Sequence, residues 1–212
     1  MIKSTIGKKI IVALTGVILF GFVAGHMAGN LLVFAGPDVF NRYAVTLKAN
    51  LLLLWGTRGI LLGSVLLHVI FTLLLTRQNR ASRPVGYELY KPQDSTLSSR
   101  VMIWSGLLLG VYIVYHLLHF TLGSAHPRFD SHDIYSNVII GFNSLPVSLL
   151  YIAAMIALGF HLHHGIWSVF QTLGLNHPKY NGARRIFATT ASILIVGGFV
   201  SIPLAVLMGG LR

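Results

Sequence analysis

Four histidines, one in each of four apolar stretches that are long enough to cross a membrane, are the chain's main candidates for chemistry. They are His26, His68, His116 and His161. A histidine placed in hydrocarbon is costly, so it usually marks a metal, a haem, a proton path or a polar partner. The chain has no cysteine, which excludes disulfides, cysteine-bound iron–sulfur clusters and covalent haem attached through Cys-x-x-Cys-His. A cofactor must therefore be held by histidine or oxygen ligands.

The elements that position these histidines are predicted to be membrane-spanning helices. The chain is 54% hydrophobic and only 10% charged, with a mean hydropathy of +0.73, which is typical of a polytopic membrane protein. Continuous apolar runs of this length must be helical, because the bilayer core offers no water to backbone groups. We expect an all-α fold in one transmembrane domain spanning 1–212, with helices at about 10–34, 51–75, 101–123, 145–169 and 186–208.

The distribution of basic residues predicts the orientation. Sixteen Lys/Arg against five Asp/Glu give a formal charge of +11, and eleven of the basic residues precede the first helix or lie between the second and third or the fourth and fifth. The positive-inside rule then places the N-terminus in the cytoplasm of a multi-pass protein of the cytoplasmic (inner) membrane. The basic N-terminus runs into the first apolar segment without a clear cleavage site, so we expect a retained span. Because the charges lie between apolar runs, no nucleic-acid partner is expected.

Membrane depth sorts the four histidines into two levels. At 1.5 Å per residue, His26 and His116 lie about 24–25 Å above the cytoplasmic ends of their helices. His68 lies about 13 Å and His161 roughly 15–20 Å above the same side. Each level thus receives one histidine from each of two helices, as bis-histidine ligation of two stacked b-type haems requires. The expected architecture is a four-helix di-haem bundle with a fifth helix beside it.

Depth alone leaves several histidine roles open. His164 lies on the same face as His161 and fits the inner level equally well. His119 lies one turn beyond His116. It is a candidate for contacting a haem ligand, for contacting quinone, or for serving as an alternative ligand. His163 points elsewhere, and His126, His132 and His177 fall in loops, where we expect them to be solvated. Small residues beside the ligands would leave room for a macrocycle, although the same spacing also lets helices approach one another. They are Gly21, Gly25, Gly29, Gly106, Gly110, Gly159 and Gly165.

The chain resembles the cytochrome b membrane-anchor subunit of succinate dehydrogenase/fumarate reductase, in its single-subunit, five-helix, di-haem form. The matching pieces run through the whole chain: Gly25-His26-Met27-Ala28-Gly29-Asn30, Phe40-Asn41, Leu67-His68-Val69, Val114-Tyr115-His116-Leu117, Phe160-His161 and Gly165-Ile166-Trp167-Ser168-Val169-Phe170. The resemblance implies that His26, His68, His116 and His161 are the axial ligands, paired first with third and second with fourth. It favours His161 over His164.

The same resemblance implies partners and a function. A flavoprotein subunit and an iron–sulfur subunit would dock on the cytoplasmic side, and electrons would pass through two b-type haems between the iron–sulfur clusters and a quinone, commonly menaquinone. The chain alone would perform no dicarboxylate chemistry, and all five of its acidic residues lie in loops. By depth only, the outer-side quinone candidates are Asn30, Arg58 and His119. The alternative for each is a structural or propionate-binding role. The alternatives are the di-haem anchor of a formate dehydrogenase or nitrate reductase, and a haem-free transporter of metal or protons.

Overall fold

The computed structural model describes residues 4–82 and 96–212. Three of the basic residues used for the orientation, Lys3, Arg83 and Lys91, lie outside these ranges, as do the acidic Glu88 and Asp94. The described part of the chain is all helical and contains no strand, which confirms the predicted fold class. Five of its helices are long and apolar enough to cross a membrane.

Four of the five long helices extend the predicted segments or shift them by up to six residues, whereas the third is shorter than its predicted segment at both ends. The five are α1 (Thr5–Asn30), α3 (Leu51–Ala81), α5 (Met102–Phe120), α7 (Leu145–Thr172) and α8 (Asn181–Leu207). Helix α1 continues as a 3₁₀ segment, Leu31–Ala35. Helix α3 runs beyond its apolar part because the polar residues that follow include good helix formers. The Asn50 side chain caps the first turn of α3 by accepting a hydrogen bond from the Leu53 N–H at 2.9 Å.

Three shorter helices were not predicted: α2 (Pro37–Ala49), α4 (Leu97–Arg100) and α6 (Ile134–Phe142). Helices α2 and α6 pack on each other at the end of the bundle where α1 finishes, which we call the far end. Asn41 ties them together, since its amide donates to the Asp133 carboxylate at 2.9 Å and its oxygen accepts from the Tyr135 N–H at 2.9 Å. The end where α1 begins is called the near end.

The long helices form a four-helix arrangement with α8 outside it. Helix α1 packs on α3 and α7, and α5 packs on α7, whereas α8 lies against α7 and α1. The diagonals of this arrangement are therefore α1–α5 and α3–α7. Many large apolar side chains face outward, as in Leu52 (86% exposed) and Trp104 (73% exposed). An apolar exterior of this kind suits helices surrounded by lipid.

A buried arginine closes the α7–α8 hairpin at the near end. Arg184 donates to the Leu175 carbonyl at 3.2 Å, to the Asn176 side chain at 2.7 Å and to the Asn181 side chain, and its guanidinium lies 4.9 Å from the ring centre of Trp167. The Leu175 carbonyl belongs to the turn after α7, so the arginine satisfies a backbone acceptor of that turn. Arg184 thereby fixes α8 against α7.

Candidate functional site

The structure brings the four histidines together as two pairs. In the near level, the ring centres of His68 and His161 are 6.3 Å apart. In the far level, those of His26 and His116 are 5.9 Å apart. With a metal–nitrogen bond of about 2 Å on each side and about 1 Å more to each ring centre, two imidazoles on one metal have centres roughly 6 Å apart. Both pairs have the spacing that two imidazoles bound to opposite sides of one metal would have.

Each pair joins diagonal helices of the bundle. His26 on α1 faces His116 on α5, and His68 on α3 faces His161 on α7. Neither diagonal belongs to the set of helix pairs in extensive backbone contact within the described residues. The rings therefore approach one another across the centre of the bundle, where a flat group between them would not have to displace a helix–helix contact.

Hydrogen bonds fix the tautomers of both near-level histidines. The Ser105 hydroxyl donates to the Met102 carbonyl at 3.0 Å and lies 3.3 Å from Nδ1 of His161. A hydroxyl has one hydrogen, so Ser105 can only accept from His161. Nδ1 of His161 then carries the proton, and Nε2 keeps the free lone pair that a metal needs.

His68 is held in the same way from α1. Its Nδ1 lies 3.2 Å from the Val12 carbonyl and 3.1 Å from the Thr15 hydroxyl. That hydroxyl donates to the Ile11 carbonyl at 2.7 Å, and a carbonyl can only accept. The Nδ1 of His68 must therefore be the protonated nitrogen, and its Nε2 is free to bind a metal. No described residue hydrogen-bonds Nε2 of either near-level histidine.

The far level is built from aromatic residues. His26 stacks on Phe22 with ring centres 5.3 Å apart and lies 5.9 Å from Phe199. His116 has a polar partner, because its Nδ1 is 3.4 Å from the Tyr151 hydroxyl. That hydroxyl also lies 2.9 Å from Nδ1 of His119. One phenol therefore stands between two imidazoles.

Two helices give the same separation between the levels. On α1, Gly16 lies beside the near-level ring of His68, and His26 follows ten residues later. On α5, Gly106 lies beside the near-level ring of His161, and His116 follows ten residues later. Ten helical residues rise about 15 Å. This separation is close to the difference of about 11–12 Å between the depths that the sequence predicts for His68 and for the far-level histidines.

Glycines leave open space along the helices that carry the paired histidines. A Cβ added at Gly21, Gly25, Gly110 or Gly165 would meet no heavy atom within 4 Å. Not every glycine belongs to this set. At Gly29 an added Cβ would collide with the Tyr43 ring, at 2.8 Å from Cζ, so this glycine allows α2 to approach α1. An added Cβ at Gly159 would likewise meet the Val196 side chain of α8, at 2.9 Å. Four of the seven glycines singled out in the sequence thus border open space, and space of this kind would accommodate a macrocycle.

The donor set suits haem better than a bare metal ion. Among residues 4–82 and 96–212, no group of three or more His, Asp or Glu side chains is placed to hold a metal ion. Protein zinc sites take three or four such ligands. A pair of imidazoles is sufficient only where the cofactor supplies the remaining donors, as haem does. The pairing, the free Nε2 atoms and the open glycine faces all fit that cofactor.

A comparison with protein families agrees with this geometry. Residues 76–200, more than half of the chain, match the family described as succinate dehydrogenase/fumarate reductase transmembrane subunit. The chain belongs to this family. Its members are membrane subunits of that complex and generally bind haem and quinone. Searches of curated proteins and of solved structures give no match.

Membership confirms the predicted family, whereas the number of haems and their ligands stay predictions. For the ligand left open by depth, the structure places the ring of His161 against His68 and gives His164 no ring contact with it. His163 points to α4 instead, where its Nδ1 lies 3.0 Å from the Ser98 hydroxyl. The loop residue His126 is buried and held by the Asn137 carbonyl at 2.9 Å, not solvated as its position suggested.

The three quinone candidates lie in separate environments. Asn30 donates to the His26 carbonyl at 2.7 Å near the end of α1. Arg58 is exposed on α3, with its guanidinium 4.9 Å from the ring centre of Trp55. His119 is completely buried among aromatic rings. The structure does not gather them into one pocket, so the quinone site stays a prediction for this member of the family.

The sequence did not reveal the residues that hydrogen-bond the paired histidines. They are Thr15, Ser105 and Tyr151. A signal for the first two exists, because a hydroxyl followed by glycine stands at the same distance before a histidine on two helices: Thr15-Gly16 before His26 and Ser105-Gly106 before His116. Tyr151 carries no such signal, since a tyrosine in an apolar helix is an ordinary packing residue.

Proposed function

We propose that this chain is the di-haem cytochrome b anchor of a succinate dehydrogenase/fumarate reductase complex. It would hold one b-type haem between His68 and His161 and a second between His26 and His116. When bound, the haems supply one-electron redox carriers between the iron–sulfur subunit and a quinone, commonly menaquinone in this form of the family. The observation that carries the proposal is the pair of facing imidazoles at each of two levels.

The chain's own residues would fix the ligands. Ser105 on the His161 side and Thr15 with the Val12 carbonyl on the His68 side hold each Nδ1–H, which directs Nε2 into the bundle. Backbone and hydroxyl acceptors of this kind orient a ligating histidine and raise its basicity. The apolar surroundings keep water away from the ligands. No residue of this chain is proposed to act on a dicarboxylate.

The partners and the orientation follow from the family and the charge distribution. Basic residues gather at the near end, at the starts of α1 and α8 and at the end of α3. This distribution supports a cytoplasmic near end in the inner membrane. A flavoprotein and an iron–sulfur subunit would then dock at the near end, beside the His68–His161 level. The far level would lie toward the opposite surface.

The proposal is tested by haem counting in matched histidine variants. The purified complex should contain two b-type haems per copy of this chain. His161→Leu should remove one haem and leave the other. His164→Leu is the matched control, since this histidine lies one turn away and makes no hydrogen bond or ring contact with another described residue, and it should retain both haems.

Other results would contradict the proposal. A wild-type complex with one haem or none would refute the two-level scheme. Loss of a haem in His164→Leu but not in His161→Leu would reassign the near-level ligand. Copurification with a molybdenum subunit instead of a flavoprotein would favour an anchor of the formate dehydrogenase or nitrate reductase type. A colourless preparation would favour the haem-free transporter.

A further inference from the structure

Tyr151 holds two imidazoles with one hydroxyl. The phenol oxygen lies 2.9 Å from Nδ1 of His119 and 3.4 Å from Nδ1 of His116. It is buried, with only 5% of the residue exposed. Because a phenol has one hydrogen, it can donate to one of these nitrogens and must accept from the other. The protonation pattern of the two histidines is therefore coupled through Tyr151.

The requirement at His116 decides the direction of both hydrogen bonds. A histidine that binds iron through Nε2 carries its proton on Nδ1. His116 then donates to the Tyr151 oxygen, and the Tyr151 hydrogen goes to Nδ1 of His119. This direction matches the shorter distance, 2.9 Å, to His119. His119 keeps its own proton on Nε2, which is buried and has no hydrogen-bond partner among the described residues.

The unpaired Nε2 shows that His119 is not fully satisfied by its surroundings. The residue is 0% exposed, and its ring lies against Phe120, with centres 4.1 Å apart. A buried polar group without a partner is unfavourable. An apolar side chain would fill this position without that cost. The polar contact that His119 does make is the one to Tyr151, and acceptance from the phenol is therefore the role that its burial supports.

On the basis of the proposed function, we propose that Tyr151 and His119 are positioning residues for the far-level haem ligand. His119 accepts the phenol hydrogen, so that the phenol oxygen is left to accept from Nδ1 of His116. These two linked hydrogen bonds fix the tautomer of His116 and turn its Nε2 toward His26. Donation to His119 also makes the phenol oxygen a better acceptor, since linked hydrogen bonds polarise one another.

The inference predicts a change in the midpoint potential of the far haem. An acceptor on the Nδ1–H side raises the basicity of an axial imidazole, and a more basic ligand stabilises the oxidised iron. Tyr151→Phe removes the acceptor, so the far-haem potential should rise. A tenfold change in the ratio of oxidised to reduced haem corresponds to 59 mV for one electron. The shift should be of that order or smaller, and the near haem should keep its potential.

A matched pair of His119 variants tests the hydrogen bond from Tyr151 to His119. In His119→Asn the amide oxygen can take the place of Nδ1 as acceptor, and the far-haem potential should stay near that of the wild type. In His119→Leu, of similar size, the phenol hydrogen is left with Nδ1 of His116 as its partner. That bond competes with iron ligation through Nε2. His119→Leu should therefore raise the far-haem potential at least as much as Tyr151→Phe, or release the far haem alone.

The measurement is a redox titration of the purified complex, followed by the reduced haem spectra. Tyr115→Phe serves as the structural control, because Tyr115 packs on His119 with ring centres 5.4 Å apart and its hydroxyl makes no hydrogen bond with a described residue. Equal shifts in Tyr151→Phe and Tyr115→Phe, equal shifts of both haems, or identical behaviour of His119→Asn and His119→Leu would each overturn the inference. A wild-type complex without two haems would instead refute the proposed function.

Discussion

The near level offers a quantitative test of the proposed haem site, because its two histidines are held unequally. The ring of His161 has one hydrogen bond, from Nδ1 to the Ser105 hydroxyl at 3.3 Å. The ring of His68 has two acceptors within reach, the Thr15 hydroxyl at 3.1 Å and the Val12 carbonyl at 3.2 Å. Removing one hydroxyl from each side should therefore have different consequences. The two hydroxyl residues are equally buried, at 6% exposure each.

In Ser105→Ala, Nδ1–H of His161 loses its only partner. The apoprotein can respond by ring rotation or a change of tautomer, whereas a haem-bound ring has its Nε2 committed. The cost therefore falls on the haem-bound state, and an unsatisfied buried donor costs about 1–3 kcal/mol. At 1.4 kcal/mol per tenfold change, near-haem affinity should fall by roughly 5- to 150-fold. The range includes the 10- to 100-fold loss that is typical when a residue hydrogen-bonded to a metal ligand is substituted.

In Thr15→Val, the matched variant, His68 still donates to the Val12 carbonyl. The loss is then an ordinary net hydrogen bond of about 0.5–1.5 kcal/mol at most, or roughly 2- to 12-fold in affinity. The assay is haem transfer from each purified variant to an excess of a haem-binding acceptor protein, followed by the near-haem spectrum, with the far haem as internal reference. A larger loss in Thr15→Val than in Ser105→Ala, or equal loss of both haems, would refute the reasoning.

Two further predictions concern the ends of the bundle. Arg184→Lys loses the fork that binds a carbonyl and two amide side chains, so thermal unfolding in detergent should show a destabilisation of about 1–3 kcal/mol, whereas exposed Arg185→Lys should not. At the far end, hydrogen bonds from Ser136 and then Asn41 lower the pKa of Asp133. The ionised carboxylate therefore stabilises the fold at pH above about 4, the pKa of Asp in the unfolded chain, and this stabilisation is lost as pH falls through the lower pKa of the folded state. Unfolding curves recorded between about pH 6 and 2.5 should accordingly show less acid sensitivity in Asp133→Asn than in the wild type.

The long helices and the two histidine levels could be predicted from the sequence, because both depend only on position along the chain. Apolar runs define where a helix crosses the membrane, and the rise per residue converts position into depth. The short helices at the far end escaped prediction for the complementary reason. Helix α2 is not apolar enough to resemble a span, and it is positioned by contacts such as the one from Asn41 to Asp133, which lies 92 residues away.

Membrane depth could not identify the residues that contact a histidine on another helix. Depth says nothing about the direction in which a side chain points around its helix, so His161 and His164 could not be separated. The structure turns His161 toward His68 and leaves His164 aside. Tyr151 is the clearest example of the limit. Its function depends on two histidines of another helix, and an apolar helix tolerates tyrosine for packing alone.

A repeat in the chain connects these observations. Thr15 stands eleven residues before His26, and Ser105 stands eleven residues before His116. Eleven residues are close to three helical turns, so hydroxyl and histidine share one face about 16 Å apart. On each helix the hydroxyl holds the near-level histidine of the next long helix, His68 or His161. The α1–α3 and α5–α7 pairs are thus equivalent units.

This equivalence constrains how the two sites can form. Each two-helix unit supplies one histidine to the far level, one histidine to the near level and the hydroxyl that orients the latter. Neither unit holds both ligands of any pair, because each ring faces its partner across a diagonal of the bundle. Haem binding at either level therefore requires both units to be assembled. Since a bound ligand stabilises the state that binds it, each haem should strengthen the association of the two units. Loss of one haem should weaken the bundle, while the other histidine pair should still bind its haem.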